Sequence, residues 1–148
     1  MPRFTKQTVS IKEIIKKLHN AISYKDLDTI LTMWLLEEQI SYIGFDGSCA
    51  KGTNAIKHAF AKIIDKISYI EILNIETHTL IGCIFVETLE AIKYDSESNQ
   101  ADCYLHATYV LVQNRDGWRF LRMHFSIASD DSVSYDNCLQ EKSTTGLH

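Results

Sequence analysis

The spacing of apolar positions divides the chain into a helical first half and a stranded second half. Ile11, Ile14, Ile15, Leu18 and Ile22 fall on one helical stripe. Ser10 and Glu13 form a capping-box pattern at its start, and the helix is expected to end near Tyr24. Asp26 is placed to cap a second, short helix with Leu27, Ile30, Leu31, Trp34 and Leu35 on one side, closed by Glu37-Glu38. Ile40 to Phe45 alternates like a short strand, and Asp46-Gly47 turns it. Gly52-Thr53 opens a third helix that buries Ala55, Ile56, Ala59, Phe60, Ile63, Ile64 and Ile67 and exposes Lys57, Lys62, Asp65 and Lys66. Ile70 to His78 and Cys83 to Tyr94 then read as strands around Leu80-Ile81-Gly82, followed by a polar loop over residues 95–100.

The stretch from Ala101 to Ala128 is a long antiparallel hairpin, two β-branched and aromatic runs around Asn114-Arg115-Asp116-Gly117. With Arg115-Asp116 as the central turn residues, Gln113 faces Trp118, Val110 faces Leu121, Thr108 faces Met123 and His106 faces Phe125. Cross-strand neighbours share a face. One face then carries His106, Thr108, Val110, Val112, Leu121, Met123, Phe125 and Ile127; the other carries Leu105, Ala107, Tyr109, Leu111, Trp118, Phe120, Arg122, His124 and Ser126. Both faces are largely apolar, so two covers are expected: the chain's own helices on the first and a partner subunit on the second. A homodimer follows, with Tyr109, Trp118, Phe120, Arg122 and His124 at its interface. The element order predicts an α+β fold, three N-terminal helices packed on one side of a curved mixed or antiparallel sheet.

Composition changes this picture little. A chain of 148 residues is expected to form one domain over 1–128, with a polar tail over 129–148. The net charge of −4 and the lack of a Lys/Arg block argue against a nucleic-acid partner. No apolar run approaches a membrane span, and MPRFTKQ has no signal-peptide apolar segment, so a cytoplasmic protein is expected. Cys49, Cys83, Cys103 and Cys138 are widely spaced without a CxxC pair; free thiols suit that compartment, and disulfides stay open for Cys49 and Cys138. His58, His78, His106 and His124 show no short ligand spacing, and no glycine-rich phosphate loop is present. Neither a metal nor a cofactor is expected.

Three segments carry a resemblance. AISYKDLDTILTMWLLEEQISYIGFDGS is similar to the helix, helix, acidic pair and strand entry of the NTF2-like superfamily, in its SnoaL-like and ketosteroid-isomerase-like members. KGTNAIKHAF resembles the start of that family's third helix, and DGWRFLRMHFS its closing strand. The closing pattern and helical entry are also similar to the association domain of calcium/calmodulin-dependent protein kinase II. The resemblance spans roughly Ser10 to Ser129. It implies a cystatin-like cone in which concave sheet and helices enclose a pocket while the convex face pairs two subunits. It does not fix an activity, because this fold hosts enzymes, binders and assembly modules.

On that frame His106 and Thr108 are polar groups on an apolar inner face, as in a small-molecule site. His106 is a candidate acid or base. An inward glutamate would be its partner: Glu87 on the pairing of Tyr94 near Cys103, Glu90 if the register slips by one. Trp34, Tyr42, Phe60, Thr108, Met123 and Phe125 are the candidate ligand-binding residues, although plain core packing is the commoner role for such aromatics. Ile40-Ser41-Tyr42-Ile43 lacks the aspartate that isomerase relatives carry on this strand, which counts against steroid isomerisation. Two functions are expected to compete: binding of a small hydrophobic or amphipathic molecule in the cone, with lyase or isomerase chemistry by proton transfer, and a non-catalytic binding or oligomerisation module.

Overall fold

The computed structural model describes residues 10–95 and 97–129. The expected lead-in over residues 1–9, most of the polar tail and Cys138 lie outside the described residues.

A helix forms at each of the three apolar stripes, but the second stops at Thr32, short of the expected Leu35 and Glu37-Glu38, because Trp34 bridges to Phe120 and the Leu35 N–H donates to the Phe120 carbonyl at 2.9 Å. α1 (Ile11–Ser23) buries Ile15, Leu18, His19, Ala21 and Ile22. Its start differs from the expected capping box: Ser10 makes no side-chain cap bond, and its carbonyl accepts from the Glu13 N–H at 2.9 Å instead. α2 (Leu27–Thr32) is capped by Asp26, whose carboxylate accepts from the Thr29 N–H at 3.1 Å. α3 (Thr53–Lys66) starts after Gly52 and turns Ile56, Phe60 and Ile64 inward. Lys25, itself at φ 58, donates through Nζ to the Ile64 carbonyl and, at 3.4 Å, to that of Ile67. It thereby puts a cation on the carbonyls that end α3.

Between α2 and α3 the chain makes two short strands, β1 (Ser41–Ile43) and β2 (Cys49–Lys51), where one was expected. Three-residue strands are too short to show an alternation. Four long strands follow: β3 (Tyr69–Leu80), β4 (Cys83–Lys93), β5 (Cys103–Asn114) and β6 (Gly117–Ala128). The sheet order is β2-β1-β6-β5-β4-β3, with β1 parallel to β6 and every other neighbouring pair antiparallel. The core lies between the helices and the inner sheet face, where Ile15, Leu18, Ile30, Phe60, Tyr109 and Phe120 are essentially without exposure.

The hairpin corrects the expected faces. Near its turn the register is the expected one: Asn114 pairs with Gly117, Gln113 with Trp118 and Leu111 with Phe120. Then Val110 pairs with Arg122, so Leu121 is an extra residue bulged out of the ladder. Past the bulge every partner shifts by one: Thr108 meets His124, not Met123, and His106 meets Ser126, not Phe125. Met123 and Phe125 do point inward, opposite Tyr109 and Ala107. The inner residues of β5 are therefore Leu105, Ala107, Tyr109 and Leu111, and His106 and Thr108 belong to the outer face.

Candidate functional site

The inner face is occupied by aromatic rings. Tyr42 lies 4.8 Å from Phe60 and 5.9 Å from Phe125, centroid to centroid. Tyr109 meets Phe125 at 5.6 Å and Phe120 at 5.7 Å, and Trp34 lies 6.2 Å from Phe60. Among Tyr42, Phe45, Phe60, Ile63, Leu105 and Phe125 a cavity of about 10 Å³ remains, near the smallest space that holds one water. Trp34, Tyr42, Phe60, Met123 and Phe125, expected to bind a ligand, are thus core residues, and Tyr42, Phe60 and Phe125 line that cavity. Burial, with the nearby Asp46 carboxylate, pushes the Tyr42 hydroxyl up, so it stays protonated.

Deeper on the same face sits a cluster of polar side chains. Glu90, on β4, has no exposure; its Oε2 accepts from the Tyr109 hydroxyl at 2.5 Å and the Thr88 hydroxyl at 2.6 Å. His19, on α1, is 3% exposed; its Nε2 lies 3.4 Å from the Tyr109 oxygen and 3.2 Å from Glu90 Oε1. That second contact is close enough for an ion pair but is not aligned as a hydrogen bond, leaving Oε1 without a hydrogen-bond partner among the described residues. Burial first, then the charge of Glu90, holds the Tyr109 hydroxyl well above its ordinary value, so it donates to the carboxylate. This cluster joins a carboxylate, an imidazole and a phenol, the groups of acid–base chemistry, in a water-poor setting.

The expected acid–base pair is not this one. His106 is half-buried on the outer face beside Leu89, and Thr108 is exposed between Glu87 and His124. Glu87 is also on the outer face, where its Oε1 is 3.1 Å from His78 Nε2. The inward glutamate is Glu90, the open alternative. His19 was missed, although a signal existed: it is four residues after Ile15 and next to Leu18, on the buried side of the first stripe. Two expected interface residues change place as well. Tyr109 and Phe120 are fully buried within one chain and are unavailable to a partner; Trp118 is partly buried against the core, and Arg122 and His124 are exposed on the outer face. Glu76, His78 and Glu87 form a grouping of potential metal ligands, with ligand atoms within 4.8 Å of one another. The His78–Glu87 contact and the stacking of His78 on Phe85 at 4.4 Å account for it as an ordinary surface cluster.

At the open end of the fold, between α3 and the β1–β2 turn, lies a groove of about 690 Å³. Phe45, Ala50, Ala55, Ala59 and Ile63 give it an apolar floor, and the small alanines leave the space. Asp46, Ser48, His58, Lys62, Lys66 and Tyr94 are its polar members. Phe45 and Ile63 line both this groove and the small cavity, so the two adjoin. Asp46 accepts from the Ser48 N–H at 2.9 Å and the Ser48 hydroxyl at 2.6 Å, bonds that hold its carboxyl below the usual range. The Tyr94 hydroxyl, 3.7 Å from Cys103 Sγ, is pushed up to about 12 by partial burial and by that contact.

The profile of the SnoaL-like domain matches residues 11–130. The chain belongs to the SnoaL-like domain family. Among solved structures, this SnoaL-like chain is similar to an NTF2-like family protein of Streptomyces avermitilis, provisionally a dehydratase, at 17% identity and TM-score 0.71. That match covers 87% of this chain and 99% of the other. An uncharacterised cystatin-like-fold protein of Caulobacter vibrioides matches at 19% identity and TM-score 0.70, over 91% and 99% of the two chains. A protein of Thiobacillus denitrificans, provisionally a calcium/calmodulin-dependent protein kinase type II association domain, matches at 15% identity and TM-score 0.66, over 77% and 91%. A comparison with curated proteins finds no match. These likenesses give the NTF2-like, cystatin-like fold. No helix among the described residues is long and apolar enough to cross a membrane.

Proposed function

We propose that this SnoaL-like protein binds a small amphipathic molecule at the mouth of its cone. The groove of about 690 Å³ between α3 and the β1–β2 turn carries this reading, because it combines an apolar floor with a few polar groups at its edge. The filled interior supports the mouth over the expected lining residues as the binding place. Ala59→Trp should fill the groove. Nile red, a neutral dye, should fluoresce with the wild-type protein and lose most of that signal with the variant; equal signals from two folded proteins would refute the site.

The buried His19–Glu90–Tyr109 cluster favours a second reading, proton transfer on a small carbonyl compound. The similarity to a provisional dehydratase is compatible with it. His19 also lines a groove of about 470 Å³ between α1 and β3, the side from which such a compound would approach Glu90. Exchange of ketone α-protons in D₂O, faster than in buffer and lost in Glu90→Gln, would support catalysis; no exchange above buffer would leave binding alone.

A homodimer through the outer sheet face completes the proposal. That face carries Glu76 and Glu87 toward one edge, Arg119, Arg122 and His124 toward the other, and half-buried Val110 between them. Two copies related by a two-fold axis would set acidic against basic halves. Val110→Glu should yield a monomer by light scattering, and an unchanged dimer would overturn the assignment. A cytoplasmic site fits the free Cys49, Cys83 and Cys103.

A further inference from the structure

We infer that the molecule held at the cone mouth is an anion, an amphipathic carboxylate whose charged end lies along one edge of α3. This rests on the mouth-binding reading above and goes further, to the class of ligand. α3 presents two parallel columns to the groove. Ala55, Ala59 and Ile63, spaced four apart, form the apolar one; His58, Lys62 and Lys66, also spaced four apart, form the basic one. An elongated molecule lying along the helix would therefore meet apolar surface on one side and positive charge on the other.

The charge balance of the groove points the same way. The chain as a whole carries a net charge of −4, yet this groove holds two lysines and one aspartate. Among the described residues neither Lys62 nor Lys66 lies in an ion pair. Asp46 is already engaged by Ser48 and is influenced by Lys66 only at longer range. A carboxylate reaching Lys62 would displace no existing ion pair. A cationic amphiphile would find Asp46 committed and both lysines repelling it.

Titration calorimetry at low salt tests this with three probes of equal chain length: decanoate, decan-1-ol and decyltrimethylammonium. Decanoate should bind about ten-fold more tightly than the alcohol, the size expected from two exposed charge contacts, and the ammonium compound more weakly still. Lys62→Ala/Lys66→Ala should bring decanoate to within about two-fold of the alcohol without changing the alcohol's affinity. Lys12→Ala/Lys16→Ala, on α1 and away from this groove, should leave all three unchanged. Equal affinities for the three probes, or an equal loss in both lysine pairs, would overturn the inference while leaving the mouth site standing. If none of the probes binds, the mouth reading falls, and this inference with it.

Discussion

Tyr109→Phe removes one oxygen from the centre of the cone and leaves the ring packed against Phe120 and Phe125. No cavity of consequence forms, so the cost is that of the hydrogen bond. In the wild type the Tyr109 hydroxyl donates to Glu90 Oε2 at 2.5 Å in a fully buried setting. After the change, that oxygen keeps the Thr88 hydroxyl at 2.6 Å, and His19 loses its 3.4 Å contact. A hydrogen bond to a charged group contributes about 1.5–3 kcal/mol, and a buried carboxylate stripped of a donor sits toward the top of that range. Urea denaturation followed by far-ultraviolet circular dichroism at pH 7 should show that loss with an unchanged slope. The pH dependence adds a second check. Burial and Glu90 raise the pKa of Tyr109 in the folded state above the unfolded value. The stabilisation is therefore complete below roughly pH 10, the unfolded tyrosine value, and fades as the pH rises toward the folded one. The gap between wild type and Tyr109→Phe should hold constant from neutral pH to about pH 9 and narrow above roughly pH 10. A cost below about 0.5 kcal/mol, or a gap that does not narrow in alkali, would refute the view of Glu90 as an acceptor held by the Tyr109 hydroxyl.

Three further changes probe the frame around this cluster. Met123→Ala, at a residue with no exposure opposite Tyr109, should cost about 2–5 kcal/mol in urea unfolding, and Leu121→Ala, at the half-buried bulge, should cost clearly less. Gly52→Ala should cost about 1–3 kcal/mol, because the residue before α3 sits at φ 83 and ψ 165, a region other residues rarely enter; an unchanged melting temperature would count against that strain. Asp26 is held below the usual carboxylate range by the side-chain and then the backbone hydrogen bond from Thr29. Its cap is therefore present above roughly pH 4, the unfolded value, and lost as the pH falls through the lowered one; thermal melts of Asp26→Ala and wild type should differ at pH 6 and converge near pH 2.

Much of the fold was legible because its signals are redundant. Five residues at helical spacing define α1 even if one is misread, and Asp26 announces α2 by a cap that does form. The site depends instead on parity, where a single residue decides everything. The turn at Asn114–Gly117 sets the register of the hairpin correctly for its first few pairs, and Leu121 then shifts it by one. Nothing in the run Gly117 to Ala128 marks Leu121 as the bulged residue, since it is as apolar as its neighbours. Extending the register straight through the bulge keeps Met123 and Phe125 inside but pairs them with the wrong side of β5. That exchanged Thr108 for Tyr109 and His106 for Ala107 on the inner face, and so sent the phenol to the outer one. The inward glutamate follows the same rule on β4, where Glu87 and Glu90 face opposite sides of the sheet. His19 escapes this fragility, because helical spacing survives any error of strand register. It adjoins Glu90 for a reason independent of the hairpin: α1 packs across the inner face, with its buried side toward the sheet. An imidazole on a buried helical stripe was therefore a firmer guide to the polar cluster than any histidine on a strand.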